Sequence, residues 1–195
     1  TSAPLMAYTL AALDAANARL ESDALFRCLK TGLFPMEPDD VAELENYALL
    51  WAIDREAWDS EWKNHPRGFA AEWTDDDRAR LERLNGLRCA VAEPLMRLRD
   101  KMNAGGTGAE LAQAVYEFLT ETQAADRLHA AADALALDGE PDAAADALRL
   151  WDLLMALLDQ TALVLRAPLD GRRYGRLLEL AIQSAKLGEL PQSLD

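Results

Sequence analysis

Hydrophobic residues recur along most of the chain at the three- and four-residue spacing of amphipathic α-helices. No stretch shows the sustained alternation of apolar and polar positions, rich in β-branched residues, that is typical of strands. Isoleucine occurs only at Ile53 and Ile182, whereas alanine and leucine abound, and this composition also favours helix. The pattern predicts an all-α protein, an irregular multi-helix bundle of about seven to nine helices.

Helix starts are predicted where a capping side chain or a proline precedes an apolar run. These positions are Ser2 with Pro4, Ser22, Pro38, Thr74, Thr107 with Glu110, and Pro141, and a turn at Asp170-Gly171 precedes the last helix. The segment between residues 54 and 74 is the least regular and predicts a short helix with an aromatic-rich loop.

No fixed-period repeat or low-complexity linker divides the chain, so we expect residues 1–195 to form a single helical domain. The only plausible internal boundary is at Gly105-Gly106. Because the sequence begins at Thr1 and ends without an evident terminal element, we expect this domain to be a fragment of a much longer chain.

The net charge of −14 would repel nucleic acid as a uniform field, so any contact with DNA has to be local. Residues 37–61 contain nine acidic residues and one basic residue. Basic residues gather instead at 78–101 and at 166–186. In the first basic cluster, arginines lie three or four positions from acidic residues, as Arg80 does from Asp76, which predicts local ion pairs.

Arg172, Arg173 and Arg176 lie near the start of the last predicted helix, where positive charge opposes the helix dipole. An external anionic partner would account for this placement. We therefore take these three arginines as candidate contacts with DNA or a partner subunit, with plain solvation as the alternative.

No catalytic or cofactor-binding residue is predicted, because the sequence lacks phosphate-binding loops, dinucleotide fingerprints and hydrolase or zinc-protease motifs. His65 is expected on a loop surface and His129 on a helix, either exposed or hydrogen-bonded, and neither predicts a metal site. The paired carboxylates are expected to be solvated, since a carboxylate-bridged bundle requires Glu-x-x-His motifs. They are Glu43 with Glu45 and Asp142 with Asp146.

The two cysteines, Cys28 and Cys89, do not form a CxxC pair and are expected to be reduced thiols in helices, which favours a cytoplasmic location. No apolar run is long enough to predict a membrane span.

Five aromatic residues could either stack on bases or pack between helices. They are Trp51, Trp58, Trp62, Phe69 and Trp73. The acidic residues around them oppose a phosphate track, so packing is the favoured interpretation.

One run of the sequence resembles a known family. Residues 24–33, ALFRCLKTGL, followed by residues 41–49, VAELENYAL, resemble the "FRxLKTGL … LENYxL" signature of the B subunits of AddAB-type ATP-dependent helicase–nucleases. Three shorter stretches agree in family order: residues 84–88 with "LNxLR", 116–119 with "LYxFL" and 188–195 with "GxIPxxLD". The matching signature residues, expected to be structural, are Phe26, Lys30, Thr31, Gly32, Leu33, Glu45, Asn46 and Tyr47. Lys30 and Glu45 are expected to form an ion pair.

The resemblance implies a non-catalytic helical accessory domain, equivalent to the helical 2B insertion of UvrD-like helicases. Its parent would join an A subunit as a heterodimer and process double-strand DNA breaks for recombinational repair. ATP, Mg²⁺ and an iron–sulfur cluster would be bound elsewhere in the parent complex, and the fragment itself would be monomeric. A free-standing helical module that binds a peptide or partner helix is the alternative.

Overall fold

The structure is a computed structural model that describes residues 4–69 and 72–188. Within these ranges the chain forms eight α-helices and one short 3₁₀ helix, which confirms the predicted all-α bundle. Their bounds are α1 Pro4–Asn17, α2 Ser22–Leu29, α3 Pro38–Leu50, the 3₁₀ helix Arg55–Asp59, α4 Asp75–Ala104, α5 Gly108–Glu121, α6 Ala124–Leu137, α7 Pro141–Val164 and α8 Gly171–Gly188. The predicted cap Ser2 and residues 189–195 of the closing motif lie outside the described residues.

Capping boxes begin α4 and α5; the sequence predicts the box of Thr107 and Glu110, whereas at Thr74 it predicts only a helix start. Thr74 Oγ1 accepts a hydrogen bond from the Asp77 backbone N–H at 3.2 Å, and the Asp77 carboxylate accepts one from the Thr74 N–H at 2.9 Å. Thr107 and Glu110 repeat this exchange at the start of α5, with distances of 3.4 and 2.8 Å. Each box satisfies two backbone donors that a helix end leaves free.

The predicted cap at Ser22 is wrong. Ser22 is the first residue of α2, and its hydroxyl donates to the Ile53 carbonyl at 2.5 Å and accepts from Trp58 Nε1 at 2.9 Å. These contacts with a segment more than 30 residues away occupy the hydroxyl, so it does not cap α2, and the Ser22 backbone N–H donates instead to the Asp54 carboxylate at 2.8 Å. The hydroxyl therefore joins α2 to the segment around the 3₁₀ helix.

Helix α1 lies at the centre of the bundle. Eight of its 14 residues are buried, and it contacts α2 and α4 as well as α5, α7 and α8. Tyr8 is fully buried; its hydroxyl donates to Thr122 Oγ1 at 2.7 Å and its ring lies 5.6 Å from that of Phe118. A helix buried on most of its surface is typical of a core position.

The five aromatic residues differ in burial, and Trp51 is intermediate: it is half-buried against the core, and its Nε1 donates to the His65 carbonyl at 3.0 Å. Trp58 and Trp62 are buried, with ring centroids 5.2 Å apart, and the Trp58 carbonyl accepts a hydrogen bond from Arg88 at 2.9 Å. Packing is therefore confirmed for these two. Phe69 is 87% exposed and Trp73 is 40% exposed, so neither is a core residue.

The expectation that His65 lies on a loop surface is wrong. His65 is buried: its Nδ1 accepts from the Arg67 N–H at 3.0 Å, and its ring lies 4.4 Å from that of Trp73. The loop folds back over the start of α4 because Arg67 donates two hydrogen bonds to the Asp77 carboxylate, each 2.8 Å long. His129 is exposed, as predicted, and contacts the Ala125 carbonyl of its own helix.

The acidic and basic clusters meet across two helices. Arg80 of α4 pairs with Glu43 of α3 at 2.8 Å rather than with Asp76, and Arg83 pairs with both Glu43 and Asp40. Glu43 is therefore not the solvated carboxylate that we predicted. Burial raises the pKa of Glu43, but the hydrogen bonds from Arg80 and Arg83 lower it by a larger amount. The pKa therefore lies below its ordinary value. These arginines are neutralised within the fold.

Glu45, which was expected to be solvated with Glu43, is half-buried and pairs with Lys30 at 2.6 Å. The predictions for Asp142, Asp146 and the two cysteines agree with the structure. Asp142 and Asp146 are exposed on α7, and Asp146 pairs with Arg149 of the same helix. Cys28 and Cys89 are free thiols in α2 and α4, and burial raises the pKa of the Cys28 thiol.

Candidate functional site

A groove of about 640 Å³ lies between α1, α2 and α8. Five arginines from four parts of the chain line it: Arg19, Arg27, Arg55, Arg172 and Arg176. Three carboxylates, Asp14, Glu21 and Glu179, also face it. We call it the arginine groove; its lining carries more positive than negative groups although the whole chain has a net charge of −14.

The structure separates the three arginines that the sequence singled out. Arg172 and Arg176 line the groove, whereas Arg173 does not. Arg172 donates to the Asn17 carbonyl at 3.2 Å, and Asn17 Nδ2 donates to the Gly171 carbonyl at 3.1 Å. These two hydrogen bonds hold the start of α8 against the end of α1.

Sequence reasoning missed Arg19, Arg27 and Arg55. They lie in separate segments, so no run of basic residues marks them. Arg19 follows α1, Arg27 is on α2 and Arg55 begins the 3₁₀ helix. Only the packing of these segments around α1 brings their side chains to one groove.

Two of these arginines have an unusual backbone conformation. Arg19 has a φ of +56° and Arg55 a φ of +49°, in the left-handed region that residues other than glycine rarely adopt. The Leu20 N–H donates to the Ala15 carbonyl at 2.8 Å, and the Leu20 carbonyl accepts from the Arg55 N–H at 3.2 Å. Two backbone hydrogen bonds thus close the end of α1 and join it to the segment of Arg55.

The arginines of the groove differ in how far they are neutralised. Arg55 pairs with Glu21, and Arg27 lies 4.0 Å from Asp14, with both of those side chains well exposed. Burial raises the pKa of Asp14, and nearby Arg27 only partly offsets this effect. Among the described residues, Arg19, Arg172 and Arg176 have no carboxylate partner.

The family-signature residues lie outside the groove lining. Lys30 donates to Glu45 at 2.6 Å and so joins the end of α2 to α3, which is the predicted ion pair. The Thr31 hydroxyl donates to the Cys28 carbonyl at 2.8 Å, and Gly32 follows with a φ of +82°. Phe26, Leu33 and Tyr47 are buried, whereas Asn46 is exposed.

Within residues 4–69 and 72–188, no three or more His, Cys, Asp or Glu residues cluster as metal ligands would. None of the helices in those ranges is long and apolar enough to cross a bilayer. The described part of the chain is therefore an all-α bundle in which arginines from separate segments line one groove.

Known proteins are similar to the chain in sequence along almost its whole length. Over 98% of the chain, it is 30% identical to the B subunit of the ATP-dependent helicase/deoxyribonuclease of Desulforudis audaxviator, 29% identical to that of Desulforamulus reducens and 28% identical to that of Acetivibrio thermocellus. The chain spans only 17–18% of the length of these relatives. No protein-family model matches it. The resemblance seen in the sequence is confirmed, since the chain is homologous to one segment of these B subunits.

Proposed function

We propose that the chain is a non-catalytic helical accessory domain of a bacterial helicase–nuclease B subunit that processes double-strand DNA breaks for recombinational repair. The similarity to B subunits over 98% of the chain is the observation that carries this proposal. In the relatives the matching segment is a small part of a longer protein, which favours this role over a free-standing interaction module.

In this proposal the domain holds parts of a cytoplasmic complex in place and does not break bonds itself. The B subunit pairs with an A subunit, and ATP, Mg²⁺ and an iron–sulfur cluster are bound elsewhere in that complex.

An activity comparison tests the proposal. The 195-residue chain and the complete two-subunit complex are each incubated with linear duplex DNA, ATP and Mg²⁺, and phosphate release and DNA degradation are measured. We expect activity from the complex alone. Activity that co-purifies with the chain, at a constant ratio to protein, would contradict a non-catalytic role.

The coding region provides a second test. We expect the reading frame to continue beyond both ends of the 195 codons, into the remainder of a larger polypeptide. A start codon and a stop codon close to these ends would instead support a free-standing module.

A further inference from the structure

We propose that the arginine groove binds the phosphodiester backbone of a nucleic-acid strand without reading its bases. The choice of DNA among phosphate-containing polymers rests on the proposed function, whereas the groove and its charge do not. The groove itself is defined by the packing of α1, α2 and α8.

The first argument is charge. Arg80, Arg83 and Arg97 of α4 each pair with a carboxylate of another helix. In the groove, Arg19, Arg172 and Arg176 have no such partner within the described ranges, which is also true of Arg173 outside it. An anion that enters the groove therefore meets guanidinium groups whose charge is not already neutralised. Their local attraction acts against the repulsion from the net charge of −14.

The second argument is backbone conformation. Positions 19 and 55 have positive φ angles, which glycine adopts freely and arginine does not. Both nevertheless carry an arginine whose side chain lines the same groove. The conformation is not particular to the groove, since Leu20, Ala52 and Gln123 share it, and its part here is to bring two guanidinium groups from separate turns to one place.

The third argument identifies the ligand. The planar guanidinium group presents paired N–H donors that match two oxygens of one phosphate. Arginines from four separate segments suit a row of phosphates better than a single small anion. No aromatic side chain lines the groove among the described residues, so it offers no surface on which bases could stack. Binding should therefore be independent of base sequence.

A salt titration of the 195-residue chain tests the ligand class. Fluorescein-labelled single-stranded and duplex DNA of mixed sequence are titrated by anisotropy, and inorganic polyphosphate forms a third arm. With three phosphate contacts, raising the salt from about 50 to about 200 mM should weaken binding about 20-fold for a single strand and about 40-fold for a duplex. Shuffling the base sequence should leave the affinity unchanged.

Groove variants test the location. Arg19→Gly removes one guanidinium at a position whose φ of +56° suits glycine, so the fold should be preserved. We expect weaker binding and a salt slope smaller by about 1. The double variant R172Q/R176Q should reduce the slope by about 2.

Arg173→Gln is the matched control, because Arg173 lies on the same helix and bears the same charge but does not line the groove. It should bind as the parent chain does. Thermal unfolding followed by circular dichroism verifies that each variant is folded.

Three results would overturn the groove proposal: no binding of either DNA, equal losses in the groove variants and in Arg173→Gln, or binding of polyphosphate alone. None of these results contradicts an accessory role in the B subunit, which does not require direct contact with DNA. Conversely, a closed reading frame would contradict the proposed function and leave groove-dependent phosphate binding intact.

Discussion

Asp77 is the residue that ties the loop of His65 to the rest of the fold. Its buried carboxylate accepts two hydrogen bonds from Arg67, and one each from the Thr74 backbone N–H and hydroxyl. The hydrogen bonds from Arg67, followed by those from Thr74, hold the pKa of Asp77 well below its ordinary value. The ionised carboxylate therefore stabilises both the loop and the start of α4.

Because the pKa of Asp77 is lower in the folded chain than in the unfolded chain, its contribution to stability is complete above about pH 4. That contribution is lost as the pH falls further, towards the pKa of the folded state. Asp77→Asn should lower the free energy of unfolding at pH 7 and make it less sensitive to acid. Urea unfolding between about pH 3 and 7 measures both effects.

Asp75→Asn is the control for that experiment, since Asp75 lies in the same helical turn with a fully exposed side chain. It should leave the acid sensitivity nearly unchanged. An equal pH dependence in the parent chain and the Asp77 variant would show that another group controls acid unfolding.

Single residues were predictable from the sequence where their partners are close in the chain. The bonds between Thr74 and Asp77 span three positions and follow from the capping pattern. The burial of His65 was not predictable, because it depends on Arg67 reaching Asp77 once the loop has folded back. The positive φ angles at Arg19 and Arg55 give no sequence signal, since arginine is not a turn residue.

At the scale of helices, Gly171 determines how closely three elements approach. A Cβ atom at this position would lie 2.5 Å from Met102 Cβ and 2.8 Å from both Asn17 Oδ1 and the Met102 carbonyl. Gly171 therefore sits where the start of α8 meets the ends of α4 and α1. A side chain there has to push these helix ends apart.

We expect Gly171→Ala to lower the free energy of unfolding by about 1–3 kcal/mol, the usual effect of overpacking a close contact. Gly86→Ala is the matched control, because Gly86 lies inside α4 with no atom within 4 Å of an added Cβ. That change should stabilise the chain by about 0.5–1 kcal/mol, since alanine is the better helix former. Denaturant unfolding measures the free energy of unfolding of both variants. Similar changes in the two variants would contradict the close contact at Gly171.

Helix bounds could be predicted closely because prolines and capping residues act locally. Pro38 and Pro141 begin α3 and α7 as the sequence indicates. Which helices pair was not predictable. The bond between Arg80 and Glu43 crosses from α4 to α3, and a pattern along one helix favoured Asp76 instead.

At the scale of the whole molecule, α1 contacts helices from both sides of the possible boundary at Gly105-Gly106. Four of the five tryptophans lie in residues 51–73, whereas α5 to α8 follow that boundary. Tryptophan fluorescence therefore reports mainly on the first part, and far-UV circular dichroism reports on all helices.

If residues 1–195 form one domain, both signals should change at the same temperature, with an unfolding enthalpy on the order of 140 kcal/mol. Calorimetry supplies the enthalpy, which is to be compared with the van't Hoff value. Two separate transitions would instead divide the chain into two units.

The arginine groove is formed by the whole folded molecule, and the sequence predicted only part of it. The placement of Arg172 and Arg176 against the dipole of α8 was a local signal, whereas Arg19, Arg27 and Arg55 join them only in the folded bundle. Patterns along the chain could not find a site assembled from four segments.

Gly106 and Leu169 exchange two backbone hydrogen bonds, of 3.0 and 2.8 Å, between the loop before α5 and the loop before α8. Neither amide can become free unless the two loops part. Their protons should consequently exchange with deuterated solvent with matching protection factors, as one opening event. The stretch that leads into α8 is thus anchored by a loop more than 60 residues earlier, and its fluctuations should be slow compared with those of an unpaired connection.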